Sequence, residues 1–274
     1  MKIINQGIDK NNRIIEIDYL RGIAIIFMIF DHFMYDIFGF LPDLFSDFPK
    51  DSGLSFNIYS LASEYWRMDL RYFFRYIIIF VFMGIVGICA SFSKNNIKRG
   101  SKLLGVSLVL SLLTYILSIA MKDPSMLITF GTLHCISLSL LFVGVLLKFI
   151  DNRFFYLLLG IFMIVIGAYF EYNVLVLDFG DESIFLIIIK QIVGLVECGG
   201  DTTPFLLNGG QVLVGVFLGK TFYKNKESLT RLEYKNNLVT FFGRNALVVY
   251  FLHQIFIPII LSILLLILGY TFAF

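Results

Sequence analysis

Long apolar runs separated by short polar segments recur along the whole chain. Most of these runs approach the roughly 20 residues that an α-helix needs to cross the hydrocarbon core of a membrane. The pattern predicts an all-α integral membrane protein, a bundle of about seven transmembrane helices plus one short interfacial or re-entrant helix. The predicted spans cover residues 17–38, 72–92, 103–121, 126–147, 154–171, 205–223 and 239–268.

The short apolar run at residues 184–196 carries Lys190 and Gln191 in its middle. A run of this length more often lies at the membrane interface or re-enters the membrane than spans it. With seven spans and a cytoplasmic N-terminus, fifteen Lys and Arg residues fall on the inner side and six on the outer side, as the positive-inside rule requires. The C-terminus is then predicted outside. An eighth span would move the basic stretch at residues 220–235 outside, so residues 184–196 are predicted not to cross.

The composition agrees with this picture. The chain is 58% hydrophobic and only 15% charged, and its mean hydropathy is +0.84, values typical of an integral membrane protein whose main partner is the lipid bilayer. Residues 1–15 are predicted as a cytoplasmic segment and residues 16–274 as a single transmembrane domain. The net charge of +2 gives no reason to expect a nucleic-acid partner, and three scattered cysteines indicate neither a disulfide framework nor a zinc site.

The first predicted span carries far more charge than an anchor helix tolerates, since a charged group at the membrane centre costs roughly 2.5 kcal/mol or more. Its ionisable residues include Asp18, Arg21, Asp31, His32 and Asp36. At about 100° per residue, Arg21 and His32 lie within about 20° of each other on the helix, and Asp18 and Asp36 lie about 40° to either side of His32. This polar line predicts a functional site, with a salt-bridge ladder that only fixes packing as the alternative.

The three histidines, His32, His134 and His253, all fall in predicted spans. A neutral imidazole beside a carboxylate can act as a general base toward a hydroxyl or an amine. His32 is the first candidate for such a base, because Asp31 and Asp36 lie close enough to orient its ring. Each histidine alone is also compatible with a satisfied structural group. A metal site is disfavoured, because no HxxxH or HExxH spacing occurs.

Several cations are predicted near the inner ends of the spans. Arg21 and Arg244 lie at the edge of apolar runs, while Lys98, Arg99 and Lys102 flank the start of the third span. A cationic inner mouth would attract a phosphate-bearing ligand from the cytoplasm. The positive-inside rule alone is the alternative explanation, and it accounts least well for Arg21 and Arg244.

Four segments carry distinctive motifs in chain order. They are RIIEIDYLRGIAIIFMIFDHFMYD at residues 13–36, FGTLH at 130–134, DTTPFLLNGGQVLVGVFLGK at 201–220 and FGRNALVVYFLHQ at 242–254. Together they resemble the motifs of the heparan-alpha-glucosaminide N-acetyltransferase catalytic-domain family over nearly the whole chain. The Asp-x-x-Arg-Gly start is shared with the wider transmembrane acyltransferase group, whereas FGxLH and GRN…HQ are more specific to the family.

The resemblance implies a membrane enzyme that takes an acetyl group from cytoplasmic acetyl-CoA and delivers it to an acceptor such as an amino sugar or another glycan group on the far side. A homodimer is left open. The residues that match motif positions are Asp18, Arg21, His32, His134, Arg244, Asn245, His253 and Gln254. Two positions depart from the family pattern. Residues 39–70 lack the histidine that the animal lysosomal members have in the first outer loop, and Asp201 begins DTTPF where bacterial-type members read DYFPL.

These observations give an expected division of roles. His32, supported by Asp31 or Asp36, is expected to remove the proton of the acceptor. His253, Gln254 and Asn245 are expected to polarise the thioester carbonyl. The expected contacts of the CoA phosphates are Arg21 with Asp18, Arg99, Lys102 and Arg244, and those of the acceptor are His134 and Asp201.

Two rival functions use the same charged spans, a proton-coupled solute transporter and an assembly protein whose polar residues hold helices together. The expected location is a bacterial inner membrane.

Overall fold

The computed structural model describes residues 14–50, 52–177, 182–230 and 236–273. Seven helical segments in these ranges are long and apolar enough to cross a membrane, which confirms the predicted all-α membrane fold. Of the predicted N-terminal segment, residues 1–13 lie outside the described part. The spans are Ile15–Leu44, Asp69–Phe92, Asn96–Met121, Thr132–Phe149, Arg153–Tyr172, Phe205–Phe222 and Ala246–Ile267.

The elements follow one another in a simple order. The helices are α1 (Ile15–Tyr35), α2 (Leu41–Leu44), α3 (Leu54–Arg67), α4 (Asp69–Phe92), α5 (Asn96–Met121), α6 (Thr132–Phe149), α7 (Arg153–Tyr172), α8 (Ile184–Val193), α9 (Phe205–Phe222), α10 (Leu238–Arg244) and α11 (Ala246–Ile267). A π-helical turn, Asp36–Phe40, joins α1 to α2, and a 3₁₀ turn, Pro124–Met126, follows α5. Two short strands, β1 (Leu175–Val176) and β2 (Val196–Glu197), pair in parallel on either side of α8.

The third span begins at Asn96 rather than at residue 103, and the fourth at Thr132 rather than at residue 126. Two further differences concern whole elements. The predicted loop at residues 39–70 contains α3, whose Ala62 and Ser63 are buried while its apolar Leu54 and Leu61 remain exposed. The predicted last span is broken at Asn245, so that α10 and α11 are separate helices.

The described residues form two compact units, one within residues 1–82 and 230–274 and the other within residues 83–229. In the first unit α1 packs against α10 and α11. A Cβ added at Gly22 of α1 would overlap the backbone carbonyl of Val239, and one added at Gly243 of α10 would overlap the carbonyl of Asp18. The two backbones therefore touch, with no side chain between them.

In the second unit α7 lies along α9, and α5 lies along α6. The end of α4 meets α9 through glycines, because a Cβ at Gly87 would overlap the carbonyl of Val212 and a Cβ at Gly215 would overlap that of Gly84. Gly219, four residues after Gly215, sits against Ser91. The GxxxG of α9 thus serves close packing within the chain.

Helix α8 has only ten residues and is about 15 Å long, too short to cross a membrane. Its Gln191 is fully buried, and the side-chain amide forms hydrogen bonds with three residues outside the helix. The amide accepts a hydrogen bond from Thr129 and donates to the Cys198 carbonyl and to Thr202 Oγ1. These bonds tie the centre of α8 to the loops around it, in agreement with the predicted short helix.

Candidate active site

Two of the three histidines lie together in the first unit. The ring centroids of His32 on α1 and His253 on α11 are 4.9 Å apart, and their planes are inclined by 60°. His253 is buried, whereas His32 is half-buried. The sequence placed both rings in spans, and the packing of α1 against α11 brings them into contact.

A hydrogen bond within α11 determines the tautomer of neutral His253. Its Nδ1 lies 3.2 Å from the carbonyl oxygen of Val249, and a carbonyl only accepts, so Nδ1 carries the hydrogen. In this tautomer Nε2 carries a lone pair and no hydrogen. This atom is buried and has no hydrogen-bond partner among the residues that the structure describes. A buried, unused lone pair next to a second imidazole can accept a proton from a reacting group.

Asp31 has partners that sequence reasoning missed. Its carboxylate accepts two hydrogen bonds from Arg71 of α4, at 2.7 and 2.8 Å, and one from the Tyr65 hydroxyl at 3.0 Å. The buried Arg71 guanidinium also stacks on the ring of Trp66 at 3.3 Å from its centroid. Burial, together with the Asp31 carboxylate, raises the pKa of Tyr65 to about 12, so Tyr65 keeps the proton that it donates.

Arg71 could have been found from its level in the membrane. Asp31 is predicted in the outer half of the first span and Arg71 directly before the outer end of the second span, and a carboxylate at that depth requires a cation or several donors. The role predicted for Asp31 beside His32 stays a prediction. Its carboxylate holds α1 to α3 and α4, and this contact fixes the helix position that carries His32.

Asp36 occupies a different environment from Asp31. It is buried at the start of the π-helical turn that follows α1, and its backbone N–H reaches the carbonyl oxygens of His32 and Phe33. Single π-turns inside α-helices are frequent at functional sites, because they redirect side chains by a fraction of a turn. The structure thus keeps Asp36 one turn from His32, as the helical spacing predicts.

At the other end of α1, Arg21 joins α10. Its guanidinium donates a hydrogen bond to the carbonyl oxygen of Gly243 at 3.2 Å and lies 3.7 Å from the carboxylate of Asp18. Arg244 directly follows Gly243, is exposed, and donates from Nε to the Thr240 carbonyl. The structure therefore places the predicted cations Arg21 and Arg244 at one helix crossing.

The junction of α10 and α11 holds the remaining predicted residues of this unit. The Asn245 side chain donates to the Phe241 carbonyl and closes the end of α10. Gln254, the neighbour of His253, is half-buried on α11. One hydrogen of the Asn245 amide is thus already used, and its second hydrogen and the Gln254 amide are the donors left for a ligand.

His134 and Asp201 belong to the second unit and are engaged in structural bonds. The His134 Nδ1 accepts from the Gly131 backbone N–H at 3.3 Å, and Nε2 lies 3.2 Å from Ser111 Oγ, which itself donates to the Ile128 carbonyl. Asp201 accepts from the backbone N–H of Thr132, the first residue of α6. An anion at that position also matches the helix dipole.

These bonds give both residues a sufficient structural reason to be present. Their predicted part in acceptor binding stays a prediction. Arg99 and Lys102, also in the second unit, are exposed on α5. Among the described residues, no cluster of three or more His, Cys, Asp or Glu side chains is arranged to hold a metal ion.

Comparison with known proteins supplies the family. The chain matches the family model described as heparan-alpha-glucosaminide N-acetyltransferase, catalytic, over residues 13–48 and 54–255. Neither a curated protein nor a solved structure gives a significant match. The match covers most of the chain, including both histidines of the pair and both arginines of the α1–α10 crossing. The chain therefore belongs to the heparan-alpha-glucosaminide N-acetyltransferase catalytic-domain family.

Proposed function

We propose that this membrane protein transfers the acetyl group of cytoplasmic acetyl-CoA to an amine or hydroxyl group of a glycan acceptor at or beyond the outer face. Its family is one of membrane acetyltransferases. The proposal includes a single transmembrane catalytic domain, residues 16–274, in a bacterial inner membrane with the N-terminus in the cytoplasm. An amino sugar is the acceptor class that the family name favours.

The observation that carries the proposal is the contact between His32 and His253, with the Nε2 lone pair of His253 buried and unused. In the proposed reaction the acceptor nitrogen or oxygen forms a bond to the acetyl carbonyl carbon, and the bond from that carbon to the CoA sulfur breaks. The proton of the acceptor passes to the histidine pair, which returns a proton to the leaving thiolate. His32 is the first candidate to meet the acceptor, and His253 Nε2 is the second acceptor of the proton.

The negative charge that develops on the carbonyl oxygen requires donors. In the neutral ring His253 Nε2 has no proton to give, so an oxyanion contact by His253 requires the charged ring. Gln254 and Asn245 are the proposed donors while His253 is neutral. Asp36, buried one turn from His32, is the proposed carboxylate that orients or stabilises the His32 ring, and Asp31 is the second.

The proposed donor site uses the cations at the crossing of α1 and α10. Arg21 is paired with Asp18 and bonded to Gly243, whereas Arg244 is exposed and uses only its Nε, in a hydrogen bond to Thr240. Two neighbouring guanidinium groups suit a ligand with several phosphate groups. Arg99 and Lys102 of the second unit remain predicted phosphate contacts.

The test is acetyl transfer by the purified protein. Wild-type protein is incubated with acetyl-CoA and glucosamine, and the products are identified by mass spectrometry, beside His32→Ala. We expect N-acetylglucosamine from the wild type and a large loss of product from the variant. Unchanged acetylation by His32→Ala would exclude His32 as the base. A wild-type protein that neither binds acetyl-CoA nor hydrolyses it slowly would favour the transporter.

A further inference from the structure

A groove of the second unit lies outside everything assigned to the reaction. It has a volume of about 520 Å³ and is formed where α4 ends, α5 begins and α6 ends. These are the ends of three membrane spans on the same side. The groove is therefore at the depth of the lipid headgroups, on the side predicted as cytoplasmic.

The groove carries a concentrated positive charge. Lys94, Lys98 and Lys148 line it, and all three are exposed. None of their ammonium groups forms an ion pair with another of the residues that the structure describes. The N-terminus of α5 adds the positive end of its dipole to this charge, and the N–H of Lys98 there donates to Asn95 Oδ1.

A buried amide indicates what else the ligand must offer. Asn96 is only 4% exposed and lines the groove. Its Nδ2 donates to the Ala90 carbonyl at 2.7 Å, which fixes the orientation of the amide. Its Oδ1 is buried and has no partner within the described ranges of the chain. A buried acceptor without a donor is unfavourable, and a donor supplied by a ligand would satisfy this oxygen.

The lining of the groove also includes two large apolar side chains, Ile97 and Leu147. Phe149, next to Lys148, is 80% exposed, and the outer face of α5 exposes large apolar side chains such as Leu108 and Leu112. A ligand seated here has a polar end between lysines and an apolar end along the helices.

We infer that this groove binds the headgroup of an anionic phospholipid whose phosphate lies among Lys94, Lys98 and Lys148 and whose headgroup hydroxyl donates to Asn96 Oδ1. Phosphatidylglycerol has this chemistry, a phosphodiester with hydroxyl groups beyond it. Its acyl chains lie along the exposed apolar faces of α5 and α6. The inference goes beyond acetyl transfer and does not depend on it.

Native mass spectrometry of the detergent-solubilised protein with added lipid tests this site. We expect Lys98→Gln/Lys148→Gln to bind phosphatidylglycerol on the order of 25-fold more weakly than the wild type, since each basic residue near a membrane surface contributes on the order of fivefold. The matched control is Lys224→Gln/Lys226→Gln, which removes the same charge from exposed positions that do not line the groove. We expect this control to bind like the wild type.

A second experiment uses wild-type protein alone and tests whether the headgroup hydroxyl of the lipid contributes to binding. Phosphatidylmethanol has the same phosphodiester charge but no headgroup hydroxyl, and phosphatidylcholine has neither a net charge nor a donor. We expect affinity to fall from phosphatidylglycerol to phosphatidylmethanol to phosphatidylcholine. Equal binding of the first two would overturn the assignment to Asn96.

Equal loss in the groove variant and its control would mean adsorption by charge alone and would overturn the inference. It would also be wrong if the groove variant bound lipid normally but required a higher acetyl-CoA concentration for half-maximal activity, because the phosphate recognised there would then belong to the acyl donor. Failure of acetyl transfer in every variant, the wild type included, would affect the proposed function and leave the lipid measurements intact.

Discussion

At the scale of single residues, the two ring nitrogens of His253 have different roles. Nδ1 is hydrogen-bonded to the Val249 carbonyl of the same helix, whereas Nε2 is the proposed proton acceptor, so a substitution can remove one and keep the other. Asparagine places an amide donor near the position of Nδ1 and removes Nε2. We expect His253→Asn to keep the bond to Val249 and to lower kcat by roughly 10²- to 10⁴-fold, the usual contribution of a general base. Acetyl transfer and the thermal unfolding midpoint are measured together.

The unfolding midpoint is the control for this substitution. A midpoint close to that of the wild type shows that the packing of α11 is retained, so that lost activity belongs to Nε2. Wild-type activity in His253→Asn would show that Nε2 takes no proton in the reaction and would leave His32 as the base.

The pair of buried Arg71 and half-buried Asp31 leads to a prediction about stability. Arg71→Met removes the guanidinium and leaves the Asp31 carboxylate with Tyr65 as its one remaining hydrogen-bond donor among the described side chains. We expect a loss of about 1–3 kcal/mol in the free energy of unfolding, because a half-buried carboxylate loses two charge-assisted hydrogen bonds. Chemical unfolding in detergent measures it.

The double variant Arg71→Met/Asp31→Asn is the matched control. It removes both charges, and we expect it to regain a large part of the lost stability. If the double variant were as unstable as Arg71→Met, the stacking of Arg71 on Trp66 rather than its pairing with Asp31 would be the source of the stability.

At this scale the sequence predicted which ionisable side chains lie within the spans, but not which of them are in contact between helices. His32 and Asp36 fall on one helix face by simple periodicity, and the structure retains that spacing. The contact between His32 and His253 depends on how α1 and α11 pack, which periodicity within one helix does not contain. Arg71 was counted only as an outer positive charge, because the second span was predicted to begin at residue 72, whereas α4 begins at Asp69 and carries Arg71 in its first turn.

At the scale of elements, the crossing of α1 and α10 depends on two glycines. We expect Gly22→Ala to destabilise the protein by about 1–3 kcal/mol, since its Cβ would overlap the carbonyl of Val239 and force the helices apart. Gly105→Ala in α5 is the control, because a Cβ there meets no atom within 4 Å. Thermal unfolding midpoints of the two variants give the comparison.

Gly105→Ala should leave the midpoint unchanged or raise it slightly, because alanine favours a helix more than glycine does. An unchanged midpoint in Gly22→Ala would contradict the close approach of α1 and α10. Since Arg21 is hydrogen-bonded across the same crossing, we also expect Gly22→Ala to weaken acetyl-CoA binding.

Elements were predictable where a long apolar run ended at clear polar boundaries. The spans that became α7 and α9 have nearly the predicted limits for this reason. The helix α3 was missed because its residues are mixed in polarity and follow two prolines, a pattern that a loop and a surface helix share. The break at Asn245 was missed because the apolar run continues on both sides of a single polar turn.

At the scale of the whole molecule, the seven-span topology predicts opposite exposure of two loops. We expect Lys226→Cys to react with a membrane-impermeant maleimide only in inside-out vesicles, and Lys122→Cys only in right-side-out vesicles or intact cells. Protein without an added cysteine is the control, since native Cys135 and Cys198 are buried. Labelling of both positions from the same side would contradict the predicted topology.

The backbone contact between α1 and α10 also has a genetic consequence. Every missense change of the Gly22 codon adds at least a Cβ, and the first atom that this Cβ meets is the main-chain oxygen of Val239. Because every amino acid at position 239 carries that oxygen, no replacement of Val239 can remove the obstacle. A selection for second-site suppressors of Gly22→Ala should therefore return mostly true revertants.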